Sequence, residues 1–291
     1  MNTQKILQAG KIASLVREYA KSIILKDVPL LEIAEKIESK IIELGGKPAF
    51  PVSLAIDNIA AHCTPFPDDK TKASGLLKVD FGIHIDGWLV DTAFSVDLEN
   101  SEENKKLIQA SEKALENATG IFNEKSRLGE IGKIISGTIE SYGFSPIVNL
   151  SGHEIRQYTL HAGITIPNID NNSDKKIKKG VYAIEPFAST GEGKIHDGNP
   201  SGIYLLTNER NVRSPVAKEI LEFVKKEYNT LPFCSRWLVK KFGTKAIIGL
   251  KQLESNGNLH HFTQLIEKSG VKISQAEHTI LVGKEVIVVT D

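Results

Sequence analysis

The chain has 291 residues, and its 36 Lys and Arg residues balance 36 Asp and Glu residues, so the formal net charge is zero. This balance excludes a global basic field that would recruit nucleic acid or an anionic membrane, and it favours small molecules or peptides as partners. No apolar run approaches the roughly 18 residues of a membrane span, the N-terminus lacks a signal-peptide pattern and the two cysteines are too few for a disulfide framework, so we expect a soluble, cytoplasmic protein.

The N-terminal part of the chain predicts two helices followed by a strand. Apolar residues recur at helical spacing from about Thr3 to Leu25. A second helix is expected to be capped by Asp27 and to end at Gly45-Gly46. Residues 50–61 then alternate as in a strand and lead directly to His62, which we mark as a candidate functional residue. The two helices are expected to cover a sheet.

Residues 78–96 predict a β-hairpin. Two runs that alternate apolar with small or polar residues are joined by Asp86-Gly87, a dipeptide well suited to a two-residue turn. This register places the bulky apolar residues on one face, which we expect to join the core. The other face carries Asp80 and Asp91 as diagonal neighbours, about 7–8 Å apart at their backbones. Gly82 lies opposite Asp91 and is expected to leave open volume beside the acids.

Asp80 and Asp91 allow two interpretations. Charged side chains are usually solvated, so the pair can belong to a solvent-exposed face of the hairpin. The small residues around the two acids, however, leave them poorly shielded and mutually repelling, a cost that a divalent cation removes. We therefore carry the hypothesis of a metal site, which requires further ligands from elsewhere in the chain.

The middle of the chain predicts two more helices and an extended segment. Ser101, followed by two acids, marks the start of one helix, and the next is expected from about Leu128 to Tyr142, with Gly143 ending it. An extended segment then carries His153 and His161, a residue type that is more often structural than ligating in such surroundings. Helices followed by strands in both halves indicate an internally duplicated α+β architecture.

Two glutamates are expected to be buried in the C-terminal half. Glu185 stands inside the otherwise apolar run Val181–Phe187, and Glu277 enters one of two closing strands. Buried acids persist when they are paired or bound to metal. The candidate ligands are therefore Asp80, Asp91, His153, Glu185 and Glu277. Two divalent ions would balance the four carboxylates, and oxygen-rich ligation with one histidine suits Co, Mn, Fe or Zn. Spacing alone does not bring these five residues together.

Residues 212–271 are interpreted as a helical insertion subdomain within a single domain of residues 1–291. Lys and Arg outnumber Glu between Arg210 and Lys251, so a basic, winged-helix-like nucleic-acid module is one interpretation. The basic residues are spread over several segments and no aromatic or glycine-rich reading surface accompanies them. We therefore favour a solvated helical face and expect no specific nucleic acid.

Five motifs, in order along nearly the whole chain, resemble those of the methionine aminopeptidases of the pita-bread fold. They read AAHCTP, KVDFGIHIDGWLVDTAF, NLSGHEIRQYTLHAG, YAIEPF and AEHTI. The insertion before the last motif resembles the one that separates type 2 from type 1 members of that family. The resemblance implies an α+β fold in which helices cover a pseudo-duplicated antiparallel sheet.

The resemblance also implies a function, which is removal of the N-terminal methionine from nascent polypeptides and peptides, preferably before a small second residue. The five candidate ligands would hold two divalent ions that activate water, with Glu185 as general base. His161 would hydrogen-bond the scissile carbonyl as it becomes an oxyanion, and His62 would bind the peptide near the scissile amide. The methionine side chain would enter an apolar pocket lined by Phe50, Leu160, Phe187, Ile203 and Phe262.

An alternative is a non-catalytic factor, because some pita-bread proteins associate with RNA or the ribosome and the basic insertion suits such a role. Those relatives lose metal ligands, whereas here all five ligand positions and both non-ligand histidines are intact. We therefore expect a monomeric enzyme, with proximity to the ribosome as an additional property.

Overall fold

A computed structural model describes residues 1–291 of the chain. Its helices are α1 (Thr3–Ile23), α2 (Leu30–Glu43), α3 (Glu102–Ile121), α4 (Leu128–Ser141), α5 (Pro215–Glu227), α6 (Ser235–Phe242) and α7 (Lys245–Ser255). Its strands are β1 (Lys47–Pro48), β2 (Ser53–Ile56), β3 (Ile59–Ala61), β4 (Leu76–Ile85), β5 (Trp88–Asp97), β6 (Ser145–Pro146), β7 (Ser151–Arg156), β8 (Thr159–Pro167), β9 (Gly180–Ile184), β10 (Phe187–Ser189), β11 (His196–Leu206), β12 (Phe233–Cys234), β13 (Leu259–Ile266), β14 (Ile273–Gln275), β15 (His278–Val282) and β16 (Val286–Val288). None of the helices has the length and apolar character needed to cross a membrane.

The first half of the chain packs two helices against a hairpin. The apolar faces of α1 and α2 share one core cluster with the inward residues of β4 and β5. The predicted hairpin register is confirmed, with Gly82 paired to Asp91. Asp86 and Gly87 both have positive φ, 49° and 78°, as a type I′ turn requires. The acids of this hairpin are therefore held on the face that points away from the helices.

The second half repeats this arrangement with α3, α4 and the hairpin β7–β8. Ser101 caps α3 as predicted, since its side chain accepts a hydrogen bond from Asn104 N, and Gly143 follows α4 at φ 84°. The buried faces of these helices share a second core cluster with β8, β9 and β15. The sheet beneath them has the strand order β16-β15-β9-β7-β8. Each half thus contributes a helix pair over an antiparallel sheet.

The insertion is helical over only part of the predicted range 212–271. Helices α5, α6 and α7 surround a small core of their own and end at Ser255. The remaining part contains β13, a strand that pairs with β11 and with β3. Sequence periodicity missed this strand because its side chains are half-buried on both faces rather than alternating. The insertion is consequently anchored in a sheet of the main fold.

Two N-terminal expectations are wrong in detail. Asp27 does not cap α2, because it lies at φ 68°, outside the extended conformation of an N-cap, and Pro29 precedes the helix without a side-chain cap. The strand expected over residues 50–61 is two strands, since the chain turns at Asp57, whose Oδ1 accepts a hydrogen bond from Leu76 N. This turn sends β2 to the hairpin sheet and β3 to β13.

Candidate metal centre

Asp80 and Asp91 lie on neighbouring strands beside Gly82, as the hairpin predicts. Asp80 is paired with Ala93, and Asp91 with Gly82. The space over Gly82 is filled rather than open, because a Cβ added there would lie 2.4 Å from the ring of Phe50. Glycine at this position lets an aromatic ring pack beside the two acids. A predicted pocket residue is thereby placed next to the predicted metal ligands.

His153 and His161 belong to two strands rather than to one extended segment. Tyr158 turns the chain at φ 55° without a glycine, so His153 lies on β7 and His161 on β8. Their ring centroids are 4.5 Å apart in an edge-to-face arrangement. His153 Nε2 lies 3.6 Å from Asp91 Oδ2 and 3.6 Å from Glu185 Oε1. This imidazole therefore faces carboxylates from both halves of the chain.

Glu185 and Glu277 stand at strand ends rather than inside strands. Pro186 follows Glu185 and interrupts the strand expected over residues 181–187, because proline cannot donate to the ladder. Glu277 precedes β15 and forms an isolated antiparallel bridge with Ala93 of β5. Both glutamates thus approach the hairpin acids from separate elements, as the resemblance implies.

A cavity of about 420 Å³ opens at these groups. Four of the predicted ligands line it, namely Asp80, Asp91, His153 and Glu185. All of the predicted substrate-binding residues line it as well, namely His62, His161, Phe50, Leu160, Phe187, Ile203 and Phe262. Glu277 is buried and is not among the lining residues. The cavity is also lined by three apolar residues that the motifs did not identify, namely Pro51, Pro232 and Leu265.

His62 and His161 are neutral groups in this cavity. Burial lowers the pKa of His62 to about 4 and that of His161 to about 3. His62 lies at φ 55°, and its ring packs edge-on against Phe262, with 5.1 Å between the ring centroids. Each imidazole therefore stays uncharged near pH 7 and offers one N–H donor and one acceptor nitrogen to a ligand.

Comparison with known proteins places this chain in a family. The profile of metallopeptidase family M24 matches residues 4–282. The chain belongs to the M24 metallopeptidases. The methionine aminopeptidase of Pyrococcus horikoshii is 43% identical over 295 residues, which cover 100% of this chain and 99% of that protein. The methionine aminopeptidase of Methanocaldococcus jannaschii is 43% identical over 290 residues, which cover 99% of this chain and 97% of that protein. These similarities confirm the resemblance carried by the five motifs.

Solved structures confirm the pita-bread fold of this M24 metallopeptidase. A thermophilic Arx1 superposes with a TM-score of 0.86 at 15% identity, covering 98% of this chain and 89% of the other. The methionine aminopeptidase of Thermotoga maritima superposes with a TM-score of 0.71 at 19% identity, covering 100% of this chain and 98% of the other. The prolidase of Pyrococcus furiosus gives 0.61 at 16% identity, covering 99% of this chain and 63% of that one. At such identities the likeness establishes the fold alone.

Burial gives the acids of the candidate site unusual proton affinities. Burial first, and the charges of neighbouring carboxylates second, raise the pKa values of Asp80, Glu185 and Glu277 well above the ordinary range. Burial raises the pKa of Asp91 to about 7 and lowers the pKa of His153 to about 4. Four carboxyl groups buried side by side therefore resist ionisation unless a cation offsets their charge.

The residues of the candidate site fit a divalent metal ion. Asp80 Oδ1, Asp91 Oδ1 and Glu277 Oε1 are buried and accept no hydrogen bond. The ligand atoms of Asp91, His153 and Glu277 lie within 4.8 Å of one another. Carboxylate oxygens without hydrogen-bond partners, grouped around one imidazole nitrogen, form a donor set that can coordinate a first-row divalent ion. This donor set and the family membership together imply a divalent metal cofactor.

Gln275 is a site residue that sequence reasoning missed. Its side chain is buried, and its Nε2 lies 3.5 Å from Glu185 Oε2 and 3.4 Å from Glu277 Oε2. The backbone of Gln275 is fixed because its N donates to Ser95 Oγ on the hairpin. The available signal was its position two residues before Glu277, which puts both side chains on one face of an extended chain.

Proposed function

We propose that the protein is a methionine aminopeptidase that removes the N-terminal methionine from nascent proteins and peptides, preferably when the second residue is small. The observation that carries this proposal is the full-length similarity, at 43% identity, to archaeal methionine aminopeptidases. It is supported by the single cavity that joins four of the predicted ligands to the predicted pocket residues.

The proposed cofactor is a pair of divalent ions, Co, Mn, Fe or Zn, held by Asp80, Asp91, His153, Glu185 and Glu277. When bound, such ions supply Lewis acidity that lowers the pKa of water and polarises the scissile carbonyl. Four carboxylates balance the charge of two ions, and the oxygens without hydrogen-bond partners are free to coordinate. Gln275 Nε2 is placed to hold two of these carboxylates in position.

We propose Glu185 as the general base. It lines the cavity, and its side chain is 15% exposed, whereas that of Asp91 is 6% exposed, so a water molecule reaches Glu185 more readily. An ionised carboxylate that water can reach accepts a proton from it, as a general base requires. A carboxylate at this position can pass that proton to the leaving amine.

We propose that His161 donates a hydrogen bond to the scissile carbonyl oxygen and that His62 contacts the peptide beside the scissile amide. Both rings line the cavity and are uncharged near pH 7, so an N–H is available without the burial of a cation. A donor placed where an oxyanion develops typically contributes a few kcal/mol to transition-state stabilisation. His161 stands edge-on to His153, which sets its distance from the metal ligands.

The methionine side chain is proposed to occupy the apolar part of the cavity. Aromatic and aliphatic side chains line it, with Phe50 held over Gly82 and Phe262 held against His62. Such a wall favours an unbranched apolar side chain and excludes a charged one, because a buried charge without a partner is costly. The rest of the peptide is proposed to lie toward the open side, where a nascent chain can be presented.

The alternative proposal is a non-catalytic factor associated with the ribosome or RNA. The likeness to a thermophilic Arx1, with a TM-score of 0.86, is the observation that favours it, but that likeness is at 15% identity. The intact ligand set favours catalysis. We propose a cytoplasmic monomer, without specific nucleic-acid binding, that acts near the ribosome.

A peptide panel tests the proposed function. The metal-loaded protein should release methionine from Met-Ala-Ser and should cleave Lys-Ala-Ser far more slowly, since the pocket excludes charge. Glu277→Gln should remain folded and lose turnover, because it removes a charge that balances the metal centre. Comparable turnover of the two peptides would contradict the pocket, and full activity of Glu277→Gln at unchanged metal content would contradict the metal centre.

A further inference from the structure

One buried carboxylate outside the metal centre joins several distant parts of the chain. Glu38 of α2 accepts hydrogen bonds from Arg236 Nη1 (2.7 Å), Arg236 Nη2 (2.8 Å) and Trp237 Nε1 (2.8 Å), and a longer one from Val52 N (3.3 Å). The side chains of Glu38 and Arg236 are 9% and 4% exposed. A fork-to-fork pair of this kind fixes both position and angle of the two groups.

The same guanidinium also holds the loop that follows β3. Arg236 Nε donates to Pro65 O, and Arg236 Nη2 donates to Thr64 Oγ1, both at 3.3 Å. A buried ion pair gains little stability over apolar packing of similar volume, because both charges must leave water. A buried ion pair more often fixes the relative position of the elements it joins. Here it joins α2, the segment before β2, the loop after β3 and α6.

Three of these segments lead directly into the proposed substrate wall. Val52 follows Phe50 and Pro51, and Thr64 follows His62 by two residues. Arg236 follows β12, whose Cys234 pairs with Ile203 of the pocket, and the pocket residue Pro232 precedes that strand. The metal ligands belong to β4, β5, β7, the end of β9 and the residue before β15, and the pair makes no hydrogen bond to any of them. Its nearest link to a ligand is Ser53, which follows Val52 and pairs with Asp80.

We propose that Glu38 and Arg236 are positioning residues that set the substrate-binding wall of the cavity more directly than its metal-binding wall. The inference rests on the proposed function, because it concerns the side of the cavity that would hold methionine and His62. The pair acts through Val52, Thr64 and the strand pairing of Cys234, and touches no substrate atom itself. Its loss should therefore impair substrate binding more than metal binding.

The test removes both charges at once, so that neither is left buried without its partner. Glu38→Gln combined with Arg236→Met should raise KM for Met-Ala-Ser about 10- to 100-fold with a smaller fall in kcat, as expected when wall residues shift by about 1 Å. Metal affinity, measured by calorimetric titration of Mn²⁺ or Co²⁺ into the chelator-treated protein, should equal that of wild type. A merely structural role predicts no such division between substrate and metal.

A matched control and a milder variant complete the design. Glu219→Gln with Lys245→Met removes an exposed ion pair (3.2 Å) between α5 and α7 of the same insertion and should change neither KM nor metal affinity. Arg236→Lys keeps the charge but loses the fork, so KM should rise only a few-fold; this variant serves if the double variant does not fold.

The outcomes separate the two proposals. If the wild type is active and the folded double variant, or a folded Arg236→Lys protein, has the same KM as wild type, this inference alone is overturned. A loss of metal affinity equal to the rise in KM also overturns it, because the pair would then support the whole site. Absence of wild-type turnover under metal-loaded conditions overturns the proposed function, and this inference with it.

Discussion

Replacing Asp91 with asparagine should stabilise the metal-free protein at pH 8 while removing its response to metal. Asp91 is 4% exposed, and burial raises its pKa from 3.8 to about 7. A carboxyl group whose folded-state pKa lies above its unfolded-state pKa costs stability once the pH exceeds the lower value, and the cost is complete above the higher value. Asparagine has nearly the same shape and carries no charge, so it avoids that cost.

The magnitude follows from the shift at Asp91. About 3 pKa units at about 1.4 kcal/mol each give an upper bound of about 4 kcal/mol in unfolding free energy at pH 8. Asp91 Oδ1 has no hydrogen-bond partner, and an amide buried there loses about 1–3 kcal/mol of this gain. The expected net gain is therefore about 1–3 kcal/mol at pH 8. Near pH 4, where the wild-type carboxyl is protonated in the folded state, the gain should be lost and only the cost of the buried amide should remain.

Urea denaturation in the presence of a chelator measures this difference at pH 8 and at pH 4. Asp68→Asn, at an exposed position, is the control and should show no change between the two pH values. Added Mn²⁺ or Co²⁺ should stabilise wild type and should stabilise Asp91→Asn far less. The reasoning is refuted if Asp91→Asn is no more stable than wild type at pH 8 with chelator, or if its gain is the same at pH 4.

Three further predictions concern neighbouring groups. His161→Ala should keep metal affinity and lose turnover roughly 10²–10³-fold, whereas His153→Ala should lose metal affinity; calorimetry beside peptide turnover decides, and a His161→Ala protein unable to bind metal would overturn this division. Gln275→Leu should weaken metal affinity roughly 10- to 100-fold, and an unchanged affinity counts against its positioning role. Metal binding at pH 6 should release more protons than at pH 8, because burial raises the carboxyl pKa values; calorimetric heats that do not depend on the buffer at pH 6 would contradict this.

Local chemistry made the central hairpin predictable from the sequence. Alternation of side chains and the Asp86-Gly87 turn fix the register, and the register fixes Asp80 and Asp91 on one face. The capping of α3 by Ser101 was predictable for the same reason, since it depends on neighbours in the chain. Features set by residues within one element or one turn were therefore within reach of sequence reasoning.

Features set by contacts between residues remote in sequence could not be predicted from the sequence. The turn at Tyr158 lacks glycine and is held by the other hairpin, because Tyr158 N donates to Gly87 O and its ring fills the space beside Gly87. Nothing local signals that turn, so the sequence predicts a single extended segment for His153 and His161. Strand β13 shows no alternating pattern, because its side chains are half-buried on both faces where they pack against strands remote in sequence. The assembly of five ligands from separate elements was likewise reached by family resemblance, and spacing could not supply it.

The most direct test of the central claim is methionine release from Met-Ala-Ser as Mn²⁺ or Co²⁺ is titrated into the chelator-treated protein. The account predicts negligible turnover without metal, a rise that saturates at no more than two bound ions per chain, and loss of that rise in Glu277→Gln. Methionine release that is undiminished in excess chelator, or a fully metal-loaded wild-type protein that releases no methionine, would contradict it.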